Sequence, residues 1–416
     1  MWLISLLIAA GVALAVPVQA NAEYTFLRDF GGSGSGPGEL NLPLGVSVDD
    51  DGIVYVADTF NHRIQRFDTD GTYLGEIGAE GSEPGSFSSP FDVEVDNDGR
   101  LLVADTGNRR VQRLDAESGA VDAVLGAGGS GPGKLAAPTG IAPLGDDVLV
   151  VDRDNTHVQR YGADGSLIDE WGAVGDEPGR LRTPLDLTIG DGGSVFIADA
   201  GNNRIQRFSP AGAFEDAFGG ELSTPQGIDA GGDGTLFVAD SGNDRVRLFD
   251  PLGSLLGGWG MTGSEQGEFD LPRGIAADCA GRVFVTDAFN NRVQVFVDPE
   301  LEETRNSCEL TLEDLIEMAA ALDLPGRSEK LVVRSLGKVE RALERGKMRS
   351  ACRRLAVTSH LLGRFADILE WHIDRHHGKR GNGRSRGRGH SHDPAAITAA
   401  RDLAGEIRAF AKRIGC

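Results

Sequence analysis

Cysteine, histidine and long apolar runs are all scarce in this 416-residue chain, and each scarcity removes a class of function. Before residue 300 the only histidines are His62 and His157, with no Cys-His pairing and no G-x-S-x-G elbow, so neither of those nucleophile arrangements is available there. The glycine-rich stretch Gly31 to Leu40, GGSGSGPGEL, lacks G-K-[ST] and leads into a strand pattern, which argues against a phosphate loop. Basic residues are also few. Of 41 Lys plus Arg, 22 lie from residue 301 onward against 16 acidic residues, leaving 19 against 47 before it, a net of −28. Such an acidic region repels phosphate at long range, so no nucleic acid is expected as a partner. Solubility outside the cell, or attraction of cationic partners or divalent cations, fits the charge better.

What is present is a repeat. VADTFNHRIQRFD, Val56 to Asp68, returns five more times, with its Asp at 58, 105, 152, 199, 240 and 287, in steps of 47, 47, 47, 41 and 47 residues. Each unit alternates apolar and polar residues in four short segments bounded by DG, GN or PG, which predicts four antiparallel strands joined by tight turns. Six such units describe an all-β six-bladed β-propeller over residues 23–300. The motif Asp residues (Asp58, Asp105, Asp152, Asp199, Asp240, Asp287) and the Arg of N-x-R (Arg63, Arg110, Arg204, Arg245, Arg292) fall at the turn between second and third strands. There a carboxylate accepts loose backbone amides and an Arg, a structural role first. Blade three has His157 in place of Arg, so its ion pair should be weakened or lost. The sixth motif lacks a fourth strand, and the spare copy is YTFLRDFG, Tyr24 to Gly31, which should close the ring from the N-terminal side.

The units resemble NHL repeats, whose N-H-[RL] triplet stands here as Asn61-His62-Arg63 and is varied as Asn108-Arg109-Arg110, Asn202-Asn203-Arg204 and Asn290-Asn291-Arg292. The resemblance implies a rigid disc used for protein or ligand binding, with a minority of lyases and lactonases. The amidating-lyase type holds zinc with several channel histidines, which this region does not have. The lactonase type uses a Glu, Asn and Asp set around a divalent cation, and only Asp92 with Asp186 hints at it.

Residues on the inner strands that differ between repeats are those the fold does not dictate. After the recurring Pro stand Leu44, Phe91, Thr139, Leu185, Gln226 and Arg273; next to them Gly45, Gly140, Gly227 and Gly274 give way to Asp92 and Asp186. In the second-to-third-strand turns Phe60, Phe289 and Arg153-Asp154 replace small residues. Aromatic and Arg residues around one mouth make a binding surface for a protein, peptide or glycan. Simple filling of the funnel is the competing reading. If the two Asp approach each other, Ca²⁺ or a cationic ligand group becomes a candidate. Non-enzymatic binding is therefore favoured, with a metal-dependent lyase or lactonase as the alternative. The shortened unit between Gly219 and Pro225 should leave a notch in the rim.

Before the repeats, Trp2 to Val18 is an uncharged apolar run ending in small-residue cleavage sites, so residues 1–22 read as a secretory signal peptide cut after Ala22. A secreted location, extracellular or periplasmic, follows; no other segment is apolar enough to cross a membrane. After Cys308 helical spacing takes over, and residues 301–416 read as a small helical bundle with a basic His, Arg and Gly-rich loop at 376–394. His372 and His376, four apart on one helical face, could hold Zn²⁺. This tail resembles a helical module of exported bacterial proteins, through Leu322 to Pro325, Ala342 to Cys352 and Gly415-Cys416. That resemblance implies a Cys352 to Cys416 disulfide, which would leave Cys279 and Cys308 to pair or to stay as thiols.

Overall fold

A computed structural model describes residues 24–298 apart from 50, 191, 192, 233 and 279. The expected signal segment, the four cysteines (Cys279, Cys308, Cys352, Cys416), His372, His376 and the expected helical bundle lie outside the described residues.

The six repeats fold into six four-stranded antiparallel sheets, the blades of a β-propeller. Blade 1 runs Pro43–Val48, Ile53–Asp58, Arg63–Asp68 and Tyr73–Ile77, from the channel outward. The inner strands of blades 2 to 6 are Asp92–Val95, Pro138–Leu144, Pro184–Ile189, Pro225–Ala230 and Pro272–Ala277. Pro43 is in register with Asp58 and Asp58 with Arg63, so inner-strand starts, motif turns and inter-blade loops share one face.

Strict apolar-polar alternation does not hold in the second strands. Val54 and Val56 pack against blade 6, whereas Tyr55 and Ala57 pack against blade 2. Each blade is sandwiched between two others, so both faces of its middle strands are buried and the strand reads as a continuous apolar run. The core is accordingly six wedges between adjacent blades. Each fully buried Phe or Leu there contributes about 1.5–3 kcal/mol relative to exposure.

The ring closes as the sequence predicts. Thr25–Gly31 pairs antiparallel with Arg292–Val297 as the outer strand of blade 6. Tyr24 stacks on Trp259 of blade 5 at 4.8 Å, and Phe30 meets Phe67 of blade 1 at 4.7 Å. One strand thus joins both ends of the repeat array and buries its aromatic residues against both adjoining blades.

The motif is a hub. Asp58, fully buried, accepts from Asn41 N (2.7 Å), Arg63 Nε (2.8 Å) and Gln65 Nε2 (2.9 Å), as well as from Asn61 Nδ2. Its partners in turn grip the glycine-rich loop. Asn61 donates to Gly34 O, Arg63 to Gly36 O and Glu39 O, and Gly38 N donates to Gln65 Oε1. The glycine-rich stretch is therefore occupied by its own blade. Where the loop is short, before blade 5, Gln is replaced by Arg247, which reaches Glu221 at 3.5 Å, and Leu222 fills the buried position held elsewhere by Leu40 or Phe87. Ion pairs between motif Asp and Arg form in blades 1, 2, 4, 5 and 6. In blade 3 Asp152 instead accepts Ala136 N, Ala137 N and Asn155 Nδ2, and His157 turns to Gln159.

Candidate functional site

Glycine and aspartate share a ring at the mouth of the channel because the inner strands come together there. A Cβ on Gly45 would stand 2.6 Å from the Asp92 Cα, and one on Gly140 equally close to the Asp186 Cα. The Asp side chains fill the space that these glycines leave. Inner strands of different blades make no ladder with one another, so their amides need other acceptors. Asp92 accepts Val93 N (2.9 Å) and, across the seam, Ile141 N of blade 3 (3.0 Å). Asp186 accepts Leu187 N (2.8 Å) and Ile228 N of blade 5 (2.9 Å).

Glu94 lies two residues beyond Asp92 on the inner strand of blade 2, and Asp229 two residues beyond Gly227 on the inner strand of blade 5. Glu94 accepts from Ser47 Oγ at 2.9 Å, and Asp229 accepts Ala277 N at 2.8 Å and Thr188 Oγ1 at 3.2 Å. Four carboxyl groups thus act on one another inside the channel. Burial pushes Asp92 up to about 7, helped by the charge of Asp229. Burial likewise raises Asp229 to about 6. Glu94 and Asp186 are held well above the usual carboxylate range, by burial first and by neighbouring carboxylates second. The sequence reading found Asp92 and Asp186 but missed Glu94 and Asp229. Their signal was available, because they too break the repeat, two positions along the same strand face.

Above the carboxyl groups, one recess is lined by Leu44, Phe91, Thr139, Leu185, Gln226 and Arg273 together with the Gly and Asp ring. Its free space is about 20 Å³, room for about one water molecule. Arg273 starts from blade 6 and reaches Phe91 of blade 2, its guanidinium carbon 5.6 Å from the ring centroid. Burial pulls Arg273 down to about 10, and the positive charge of Arg153 adds to the shift. Seven buried side-chain N or O atoms have no hydrogen-bond partner among the described residues, and three of them, Thr139 Oγ1, Gln226 Oε1 and Arg273 Nε, line this recess.

The turn residues surround the recess on the same face without lining it. Phe60 and Phe289, on adjoining blades 1 and 6, are each 57% exposed. Arg153, about two-thirds buried, pairs with the exposed Asp154 at 2.8 Å. At the matching positions in blades 2, 4 and 5 a Cβ on Gly107, Gly201 or Gly242 would come within 2.7 Å of the loop before it, so a side chain there is disfavoured. Among the described residues no group of three or more His, Cys, Asp or Glu side chains is arranged to hold a metal ion.

Comparison with known proteins supports this architecture. The NHL repeat model matches residues 40–67, 181–208 and 269–296, in blades 1, 4 and 6. No curated protein matches the sequence. Among solved structures, a gluconolactonase from Xanthomonas campestris is 17% identical over 66% of this chain and 99% of its own, with a TM-score of 0.51. The virginiamycin B lyase of Staphylococcus aureus is 16% identical over 66% of this chain and 99% of its own, with a TM-score of 0.48. A protein of unknown function from Bacteroides thetaiotaomicron is 17% identical over 66% and 73%, at 0.49. At 17% identity the likeness to the gluconolactonase is one of fold.

Proposed function

We propose that this chain is an exported binding module, secreted or periplasmic after cleavage behind Ala22, that holds a protein, peptide or glycan ligand on the loop-bearing face of the disc without turnover. The observation that carries the reading is a concentration. Three of the seven unpartnered buried polar atoms, the two most exposed phenylalanines and the Arg153–Asp154 pair gather on one face, around one recess, at positions the repeat leaves open. Exposed aromatic and Arg residues around a desolvated centre are the usual anchors of recognition.

The test is direct. Full-length protein is probed on peptide and glycan arrays beside a Phe60→Ser/Phe289→Ser double variant and a Leu252→Ser control, Leu252 being 73% exposed in a turn of the opposite face. The reading expects binding to disappear in the double variant and persist in the control. Loss only in the control would move the site to the other face. Lactone or lyase turnover abolished by Asp92→Ala would replace the reading with an enzymatic one.

A further inference from the structure

Arg273 is the one charged residue in the ring that follows the recurring Pro, and nothing in the repeat calls for it. Most of its surface is buried, its Nε has no partner, and it forms no ion pair among the described residues. The charge that bears on it, Arg153, has the same sign. A guanidinium taken out of water without a counter-ion is unfavourable unless something else supplies the missing anion. Stacking on Phe91 offsets part of this and holds the group across the mouth, but it offers no hydrogen-bond acceptor.

Two further groups in the recess have the same deficit. Thr139 Oγ1, in a residue 1% exposed, has a hydroxyl to donate, and Gln226 Oε1, in a residue 7% exposed, has lone pairs to fill. The Asp92 and Asp186 oxygens beneath them are already engaged by backbone N–H groups, so the unmet demand is for an acceptor facing Arg273 and Thr139 and a donor facing Gln226. We infer that the recess captures the carboxyl end of a peptide. The terminal carboxylate accepts from Arg273 and Thr139, and the last amide N–H donates to Gln226. A space of about one water molecule admits a single carboxylate oxygen and leaves the rest of the terminal residue, side chain included, at the rim, so the peptide arrives end-on. Its preceding residues then lie across the face that carries Phe60 and Phe289.

This inference rests on the binding reading above, and the experiment separates the two. A pool of tetrapeptides with free carboxyl ends and its C-terminally amidated twin are titrated against the full chain by calorimetry, with sodium glucuronate as a third probe. The expected result is binding of the free-acid pool that weakens about tenfold or more on amidation, the size of a lost charged hydrogen bond. Arg273→Met should abolish the difference between the pools, and Arg273→Lys should keep part of it. Equal binding of both pools by the native chain would overturn the inference with no variant needed. So would glucuronate binding without peptide binding, which leaves the face a binding site for an acidic sugar. Array binding that depends on Phe60 and Phe289 but is indifferent to every carboxylate would overturn the carboxyl-end inference alone; no binding at all would remove both.

Discussion

The motif hub and the mouth ring are each built from six equivalent positions, yet they follow opposite rules. At the hub five of six positions carry the same Asp and Arg pair, and every carboxylate is fully buried and fully matched. At the mouth the six residues after the Pro are of five different types, and three buried atoms are left unmatched. Repetition marks what the fold requires, and variation with unmet polar groups marks what it leaves to something else. Blade 3 connects the two, because the blade that gives up its motif Arg also presents Arg153 and Asp154 near the mouth.

The largest effect is expected from removing a hub carboxylate. Asp105 accepts from Ser88 N, Asn108, Arg110 and Gln112, so Asp105→Ala strands a partly buried guanidinium and should cost about 3–5 kcal/mol in chemical denaturation. Asp152→Ala strands only neutral donors, and about 1–3 kcal/mol is expected. Equal losses at the two positions would mean that the ion pair is incidental.

The channel carboxyl groups give the next largest effect, with a definite sign. Their folded pKa values are raised, so the folded chain holds protons that the unfolded chain has released. Their contribution to stability is fully present below about pH 4 and is lost as pH rises through about 6 to 7. Thermal stability should therefore fall from pH 5 to pH 8, by up to about 4 kcal/mol from Asp92 and Asp229 together. Asp92→Asn should flatten that slope, and a slope unchanged in the variant would exclude Asp92 as a source.

Smaller again is the repair of blade 3. His157→Arg places a guanidinium where Arg110 of blade 2 binds Asp105 and two loop carbonyls. A gain of about 0.5–1 kcal/mol in denaturation is expected, since the new pair is only partly buried. No gain would indicate that the three amides already satisfy Asp152.

The fold was legible because a repeat states each rule several times. Period, turn residues and the displaced strand Tyr24 to Gly31 together fixed blade number and closure, and the short loop before blade 5 was visible as a 41-residue step. The mouth ring was legible by the opposite signal, departure from the repeat, which brought Phe91, Asp92, Asp186, Gln226 and Arg273 into one recess. What the sequence did not carry was partnership. Nothing in it told that Asp92 and Asp186 bridge blades through backbone amides, or that Glu94 and Asp229 join them in the channel. Those facts depend on which strands become neighbours at the axis, and that geometry belongs to the closed ring.

The mildest change tests the rule itself. Phe60 and Phe289 stand in solvent at turns whose backbone bonds, Phe60 N to Asn41 O and Phe289 N to Asp270 O, do not involve the rings. Replacing both by Ser should shift stability by no more than about 0.5 kcal/mol per site, the range of surface substitutions away from special features. If variation marks ligand contacts, the same double variant should lose binding on the arrays while its denaturation midpoint stays in place. A midpoint that drops by several times that amount would make the two rings part of the fold, and the contrast between hub and mouth would then rest on the recess alone.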